Sequence, residues 1–186
     1  MLKIHILGPS GSGTTTLGKA ISQKYGLAHF DADNYFWKQT TPPFQKVRSI
    51  AERRELLSSD LTQETNWLIS GSLCGWGDIF MAEFNLVIYL WAPITIRLDR
   101  LKKREQKRFG SAVLPGGKMY QRHLQFLDSA ARYDYDYTEF RNKRTHLEWL
   151  QRLNCPILKI EEVKPISEML LDVKNIIAKN DELKKI

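Results

Sequence analysis

Short apolar runs recur along the chain, each followed by a stretch whose apolar positions return at helical spacing. Leu2 to Leu7 ("LKIHIL"), Leu27 to Asp33 ("LAHFDAD"), Asn66 to Ser70 ("NWLIS"), Asn85 to Pro93 ("NLVIYLWAP") and Cys155 to Glu161 ("CPILKIE") are too short for helices, and each predicts a strand. Between them, Thr15 to Tyr25, Phe44 to Gln63, Ile94 to about Arg108, segments from about Met119, and the stretch after the last strand predict helices. Pro42-Pro43 reads as the start signal of the second of these. "FGSAVLPGGK", Phe109 to Lys118, predicts a loop. Strands alternating with helices imply an α/β fold with a parallel sheet covered on both faces. With 186 residues and no repeat or linker, one domain over 1–186 is expected.

Composition narrows the class. A hydrophobic content of 42% supports a packed core, while the longest apolar stretch, "LVIYLWAPI", is too short to span a bilayer. The first residues lack the features of a signal peptide, so a cytoplasmic protein without a membrane partner is expected. Cys74 and Cys155 lack metal-ligand spacing, and the four histidines are scattered and read as structural or surface groups. The net charge of +7, gathered in Arg97 to Arg108 and Arg141 to Arg152, favours a polyanionic partner, either nucleic acid or a phosphorylated small molecule. Solvated helix faces account for the same pattern. The final "KNDELKKI" is expected to fray.

In such sheets ligands bind beyond the carboxyl ends of the strands, so those ends carry the candidate chemistry. "GPSGSGTTT", Gly8 to Thr16, follows the first strand and matches the phosphate-binding pattern G-x-x-x-x-G-K-[ST] except that Thr14 stands in place of lysine. Gly8, Gly11 and Gly13 let the chain wrap with N–H groups inward. Ser10, Ser12, Thr14 and Thr16 complete the cradle, and Thr15 occupies the position whose hydroxyl ligates Mg²⁺. Asp31 and Asp33 close the second strand; in an extended segment their spacing places both carboxylates on one face, one toward a metal and the other toward an acceptor hydroxyl. Capping the next helix is the alternative role, above all for Asp33. "SGSLCGWGD" after the third strand brings Gly71 close to a ligand but has Ser70 where an acid would hold metal. Arg97, Arg100, Arg104 and Arg108 form an approximate helical stripe suited to phosphate.

"GPSGSGTTT", "FDAD", "RLDRLKKR" and "RTHLEWLQRLNCPILKIEE" together resemble the nucleoside monophosphate kinase group of P-loop proteins, which includes adenylate, cytidylate and shikimate kinases. The "FDAD" end is more similar to the shikimate and gluconate kinase pattern, which hints at a hydroxyl acceptor. The resemblance implies a three-layer α/β/α sandwich with five parallel strands ordered 2-3-1-4-5, an acceptor-binding segment at about 35–63 and a small lid at about 109–118. It implies that Arg100 borders the base and that Arg104 and Arg108 reach the phosphates. It leaves open which of Arg132, Arg141 and Arg144 joins them. Arg48 and Arg53 are candidates for gripping the substrate, and Trp37 and Phe44 for stacking on it, with packing as the alternative.

The expected activity is ATP-dependent, Mg²⁺-requiring phosphoryl transfer to a nucleotide or hydroxylated metabolite, with Asp33 nearest the acceptor. Loss of one charge donor typically costs about 10²- to 10³-fold in rate. The lysine is also absent from the similar "GSGTTT" run of archaeal-type cytidylate kinases, and arginines can supply the charge. The alternatives are a non-catalytic nucleotide-binding regulator and, on charge alone, a nucleic-acid end kinase or binder.

Overall fold

The computed structural model describes residues 1–138 and 141–180; the expected fraying of "KNDELKKI" falls largely outside them. Five strands form the sheet: β1 (Lys3–Leu7), β2 (Ala28–Asp31), β3 (Trp67–Ser70), β4 (Leu86–Leu90) and β5 (Ile157–Ile160). All neighbours are parallel and the order is β2-β3-β1-β4-β5, as the resemblance implied. The register sets Asp31 beside Ser70 and Ser70 beside Ile6, which brings the strand ends to one edge.

Helices α1 (Thr14–Tyr25), α2 (Ala32–Phe36), α3 (Ile50–Leu61), α4 (Ile94–Phe109), α5 (Tyr120–Arg132), α6 (Lys143–Leu150) and α7 (Ile166–Lys179) complete the chain. The alternation of side chains along each strand divides the core. Leu7, Trp67, Ile69, Val87 and Tyr89 pack with Leu57 and Leu61 of α3 and Trp149 and Leu150 of α6. Ile4, Ile6, Leu68 and Ile88 pack with Leu17 and Ile21 of α1 and Met169 and Val173 of α7. Helices therefore cover both faces, and the sheet edge stays open at the strand ends.

Two expectations need correction where the chain leaves the sheet. β2 stops at Asp31, and Asp33 lies in the first turn of a short helix rather than on an extended face; Asp31 caps that helix, its Oδ1 accepting the Asp33 N–H at 3.0 Å. Nor does α3 begin after Pro43. Residues 37–47 fold back as a strap, with Trp37 bridged to Val47 and the Lys38 N–H bonded to the Lys46 carbonyl at 2.8 Å. The helix starts at a capping box, in which Ser49 Oγ accepts from the Glu52 N–H and Glu52 accepts from the Ser49 N–H. Gly110–Val113 is a 3₁₀ turn with Val113 buried, and the Met119 N–H bonds to the Ala112 carbonyl at 2.8 Å.

Candidate phosphoryl-transfer site

The turn from Gly8 to Gly13 hugs the open edge so closely that side chains are excluded. A Cβ on Gly8 would lie 2.0 Å from the Leu90 carbonyl oxygen, and one on Gly11 2.7 Å from that of Arg97. Gly11 and Gly13 have φ of 83° and 107°, conformations that L side chains avoid. α1 then begins without a side-chain cap, its first N–H groups and dipole end directed at the turn. Ser12 is buried with its hydroxyl unpartnered among the described residues. An uncapped helix start, a side-chain-free cradle and an orphaned buried hydroxyl fit a phosphate group. Thr14 is the first residue of the helix and half-buried, while Ser10 and Thr16 are exposed.

Thr15 Oγ1 donates to Asp31 Oδ2 at 3.0 Å. Among the described residues no group of three or more His, Cys, Asp or Glu side chains could hold a metal. A hydroxyl and one carboxylate suit Mg²⁺, which keeps several waters and takes its other oxygens from phosphates. Beside them, His29 Nε2 and Ser70 Oγ lie 2.9 Å apart, so the position without the expected acid is occupied by a neutral pair.

Asp33 is exposed to water, yet its carboxyl stands among crowding neighbours. The crowding raises its carboxyl above the ordinary range. The nearby charges of Arg141, Arg104 and Arg108 oppose that rise, whereas Asp31 adds to it. Three arginines from two distant segments thus converge on one carboxylate. Arg104 also pairs with Glu105 at 3.3 Å, and Arg108 stacks over Phe44 at 5.1 Å.

The arginine stripe divides along its length. Arg97 is fully buried, donating to the Ala92 and Ala130 carbonyls and to Asp134, so it fastens α4 to the chain after α5. Arg100 donates to the Ser12 carbonyl at 3.0 Å and lies along the phosphate turn. On the acceptor side, Arg48 is committed to structure: its guanidinium donates to the carbonyls of Asn34, Tyr35 and Trp37 at the end of α2. Trp37 packs edge-on against Phe36 and Phe44. Gly71, at φ 104°, passes Ala32 so closely that its Cβ would lie 3.0 Å from that of Ala32.

Arg53 and Arg141 both lie over the Phe36 ring, at 4.0 and 4.6 Å. Burial, and then Arg141, makes the Arg53 charge harder to hold. Two guanidiniums that share one ring and repel each other suit an anionic group placed between them. Of the three arginines left open by sequence, Arg132 pairs with Asp128 and Asp136 and Arg144 with Glu148, whereas Arg141 turns toward Asp33. Phe36 as a shared ring was not foreseen, because no local pattern distinguishes it from a core residue.

The profile of a family described as AAA domain matches residues 4–112. The chain belongs to this AAA-domain family. The match carries the phosphate turn, both acids, Arg104 and Arg108 of the AAA domain, and Arg141 lies beyond it. A Bacillus subtilis protein, YqaC, described as uncharacterized, is 45% identical over 177 residues, covering 95% of this chain and 98% of its own. Cytidylate kinase from Pyrococcus horikoshii is 35% identical over 137 residues, 67% of each chain. Shikimate kinase from Bacteroides thetaiotaomicron superposes with a TM-score of 0.55 at 17% identity, covering 100% of this chain and 99% of that one. Deoxyadenosine kinase from M. mycoides superposes equally well, at 0.55 and 18%, over 96% and 100%. The sequence relatives and the shared fold place this AAA domain in the nucleoside monophosphate kinase-like group of P-loop proteins.

Proposed function

We propose that the chain transfers the terminal phosphoryl group of ATP to an oxygen of a small anionic acceptor. The reading is carried by the position of Asp33, two residues from the Asp31 that bonds Thr15 and under the charges of Arg141, Arg104 and Arg108. In this reading the cradle from Gly8 to Thr16 binds the ATP phosphates, with Thr15 and Asp31 holding Mg²⁺, which when bound supplies charge neutralisation between them. The acceptor oxygen attacks the γ-phosphorus, the bond to the β,γ-bridging oxygen breaks and ADP leaves; where that oxygen is a hydroxyl, its proton passes to Asp33. Arg104 and Arg108 carry the charge that Thr14 cannot. Arg53 and Arg141 grip an anionic group of the acceptor, which is a nucleotide or a hydroxylated acid. Residues 35–63 and 109–118 then serve as acceptor segment and lid of one domain.

Screening ATP consumption against nucleoside monophosphates, nucleosides and small hydroxylated acids tests the reading. Turnover is expected only with acceptors bearing an anionic group, and Arg141→Met should raise KM for that acceptor about tenfold or more, as loss of a charge-assisted contact does. Thr14 favours a second reading, a nucleotide-binding regulator; tight ATP binding with no acceptor turned over would decide for it.

The metal position has its own test. Thr15→Ala should weaken ADP binding about tenfold in the presence of Mg²⁺ and hardly at all in excess chelator, measured by calorimetry. Equal losses in both conditions would remove Thr15 from the metal.

A further inference from the structure

Behind the acceptor edge runs a buried polar chain that none of these steps uses. The hydroxyls of Tyr89 and Tyr133 lie 3.0 Å apart, Tyr133 OH is 2.9 Å from Nδ1 of His146, and Nε2 of His146 is 3.1 Å from Ser72 Oγ. All four residues are buried, and they come from β4, the end of α5, α6 and the turn after β3. Burial first, then Arg141 and His5, pushes the imidazole down to about 3. The neutral ring therefore donates from one nitrogen and accepts at the other. If Tyr89 donates to Tyr133 and Tyr133 to Nδ1, then Nε2–H donates to Ser72; in the other tautomer Ser72 donates to Nε2 and Nδ1–H to Tyr133.

The position of this chain gives it a consequence. Tyr133 and His146 bracket the segment that carries Arg141. The base of that segment is closed by the Lys143 N–H to the Tyr133 carbonyl at 2.9 Å, and Asn142 caps α6 by accepting from the Thr145 N–H at 2.8 Å. Next to Tyr133, the Asp134 carboxylate receives Trp91 Nε1 at 2.7 Å and the Arg97 guanidinium at 2.5 Å, tying the near arm to the end of β4. His146 ties the far arm to Ser72, next to Gly71 in the turn after β3, and one turn further along α6 Trp149 Nε1 donates to Asp78 at 2.9 Å.

We propose that His146 is a positioning residue of the acceptor site: by bridging Tyr133 to Ser72 it fixes the segment bearing Arg141 to the ends of β3 and β4, and so sets where that guanidinium stands over Phe36 and toward Asp33. Its catalytic meaning rests on the reading of Arg141 as an acceptor-binding group, but its position can be measured without any acceptor. A histidine that served stability alone would leave Arg141 in place.

The Phe36 ring lies 4.6 Å from the Arg141 guanidinium carbon, so its ring current marks the Arg141 Nε–H signal. That signal is read in the arginine side-chain ¹H–¹⁵N spectrum of the free protein and assigned with Arg141→Lys. Tyr133→Phe and His146→Gln should each move it toward the position it takes in Phe36→Leu. Met169→Ala, which loosens the opposite core, should leave it unmoved. If His146→Gln does not fold, Tyr133→Phe and Ser72→Ala, each lacking one oxygen, carry the test. Folded variants that keep the Arg141 signal at its wild-type position would overturn the proposal. Absence of any kinase activity would overturn the reading of the site and leave this result standing.

Discussion

Asp33→Asn should lower phosphoryl transfer by about 10²-fold or more while leaving nucleotide affinity within about twofold. The substitution keeps size and leaves Asp31, the residue that caps α2, untouched, so the local fold survives. What it removes is a carboxylate that three arginines face. The same geometry fixes the sign of the pH dependence. Crowding raises the Asp33 carboxyl above its ordinary value, so proton uptake begins at a higher pH than for a free aspartate, and the rate should fall as pH drops through that raised value. Arg141→Met removes the strongest opposing charge and should move the fall to higher pH still. Steady-state rates from pH 8 to 5, with nucleotide affinity measured in parallel, check both statements. Unchanged turnover in Asp33→Asn would make Asp33 merely a helix residue.

Acidification from pH 7 to 5 should cost the fold about 4 kcal/mol, through two buried histidines. His5 stacks on Phe84 inside the core with Nδ1 3.2 Å from the Ile69 carbonyl, and burial lowers it to about 4. His146 is lowered to about 3. Both folded values lie below the unfolded 6.5, so between them the unfolded chain binds more protons. The stability is complete above that unfolded value and is lost as pH falls toward the folded ones, at roughly 1.4 kcal/mol per pH unit for each ring. His29, also lowered by burial, adds in the same direction. Glu52, held near 2 by Lys38 and Ser49, keeps its contribution over this range and loses it only as pH falls below the ordinary 4.5. Urea unfolding at pH 7, 6 and 5 measures the loss, and His146→Gln should halve it. A stability that is flat over this range would mean that the rings accept protons without unfolding.

The inner strands β1, β3 and β4 were legible because strands buried on both faces are mostly apolar, and the phosphate turn because its glycines serve backbone geometry rather than packing. The start of α3 was legible too, but at Ser49 and Glu52 rather than at Pro42-Pro43; a proline permits a helix start, whereas a reciprocal cap fixes one. Arg97 and Arg104 share a face of α4 yet stand about 10 Å apart along its axis, so one meets Asp134 and the other faces Asp33. Helical spacing gives the face and says nothing of what lies opposite. Among the later arginines a signal existed: Arg132 and Arg144 have acids four residues away, and Arg141 has none. The bracing of Arg141 by His146 was beyond reach, because its partners lie 13 and 74 residues away.

The strap between Trp37 and Val47 leaves and re-enters the body of the protein at adjacent points, bridged to each other and pinned by Arg48 to the end of α2. Its span is therefore a closed excursion. Doubling the length of such a loop costs only about 0.6 kcal/mol in closure entropy. Changes of length there are therefore tolerated by the fold, and Phe44, over which Arg108 stacks, is the point at which a change in the strap would reach the arginines facing Asp33.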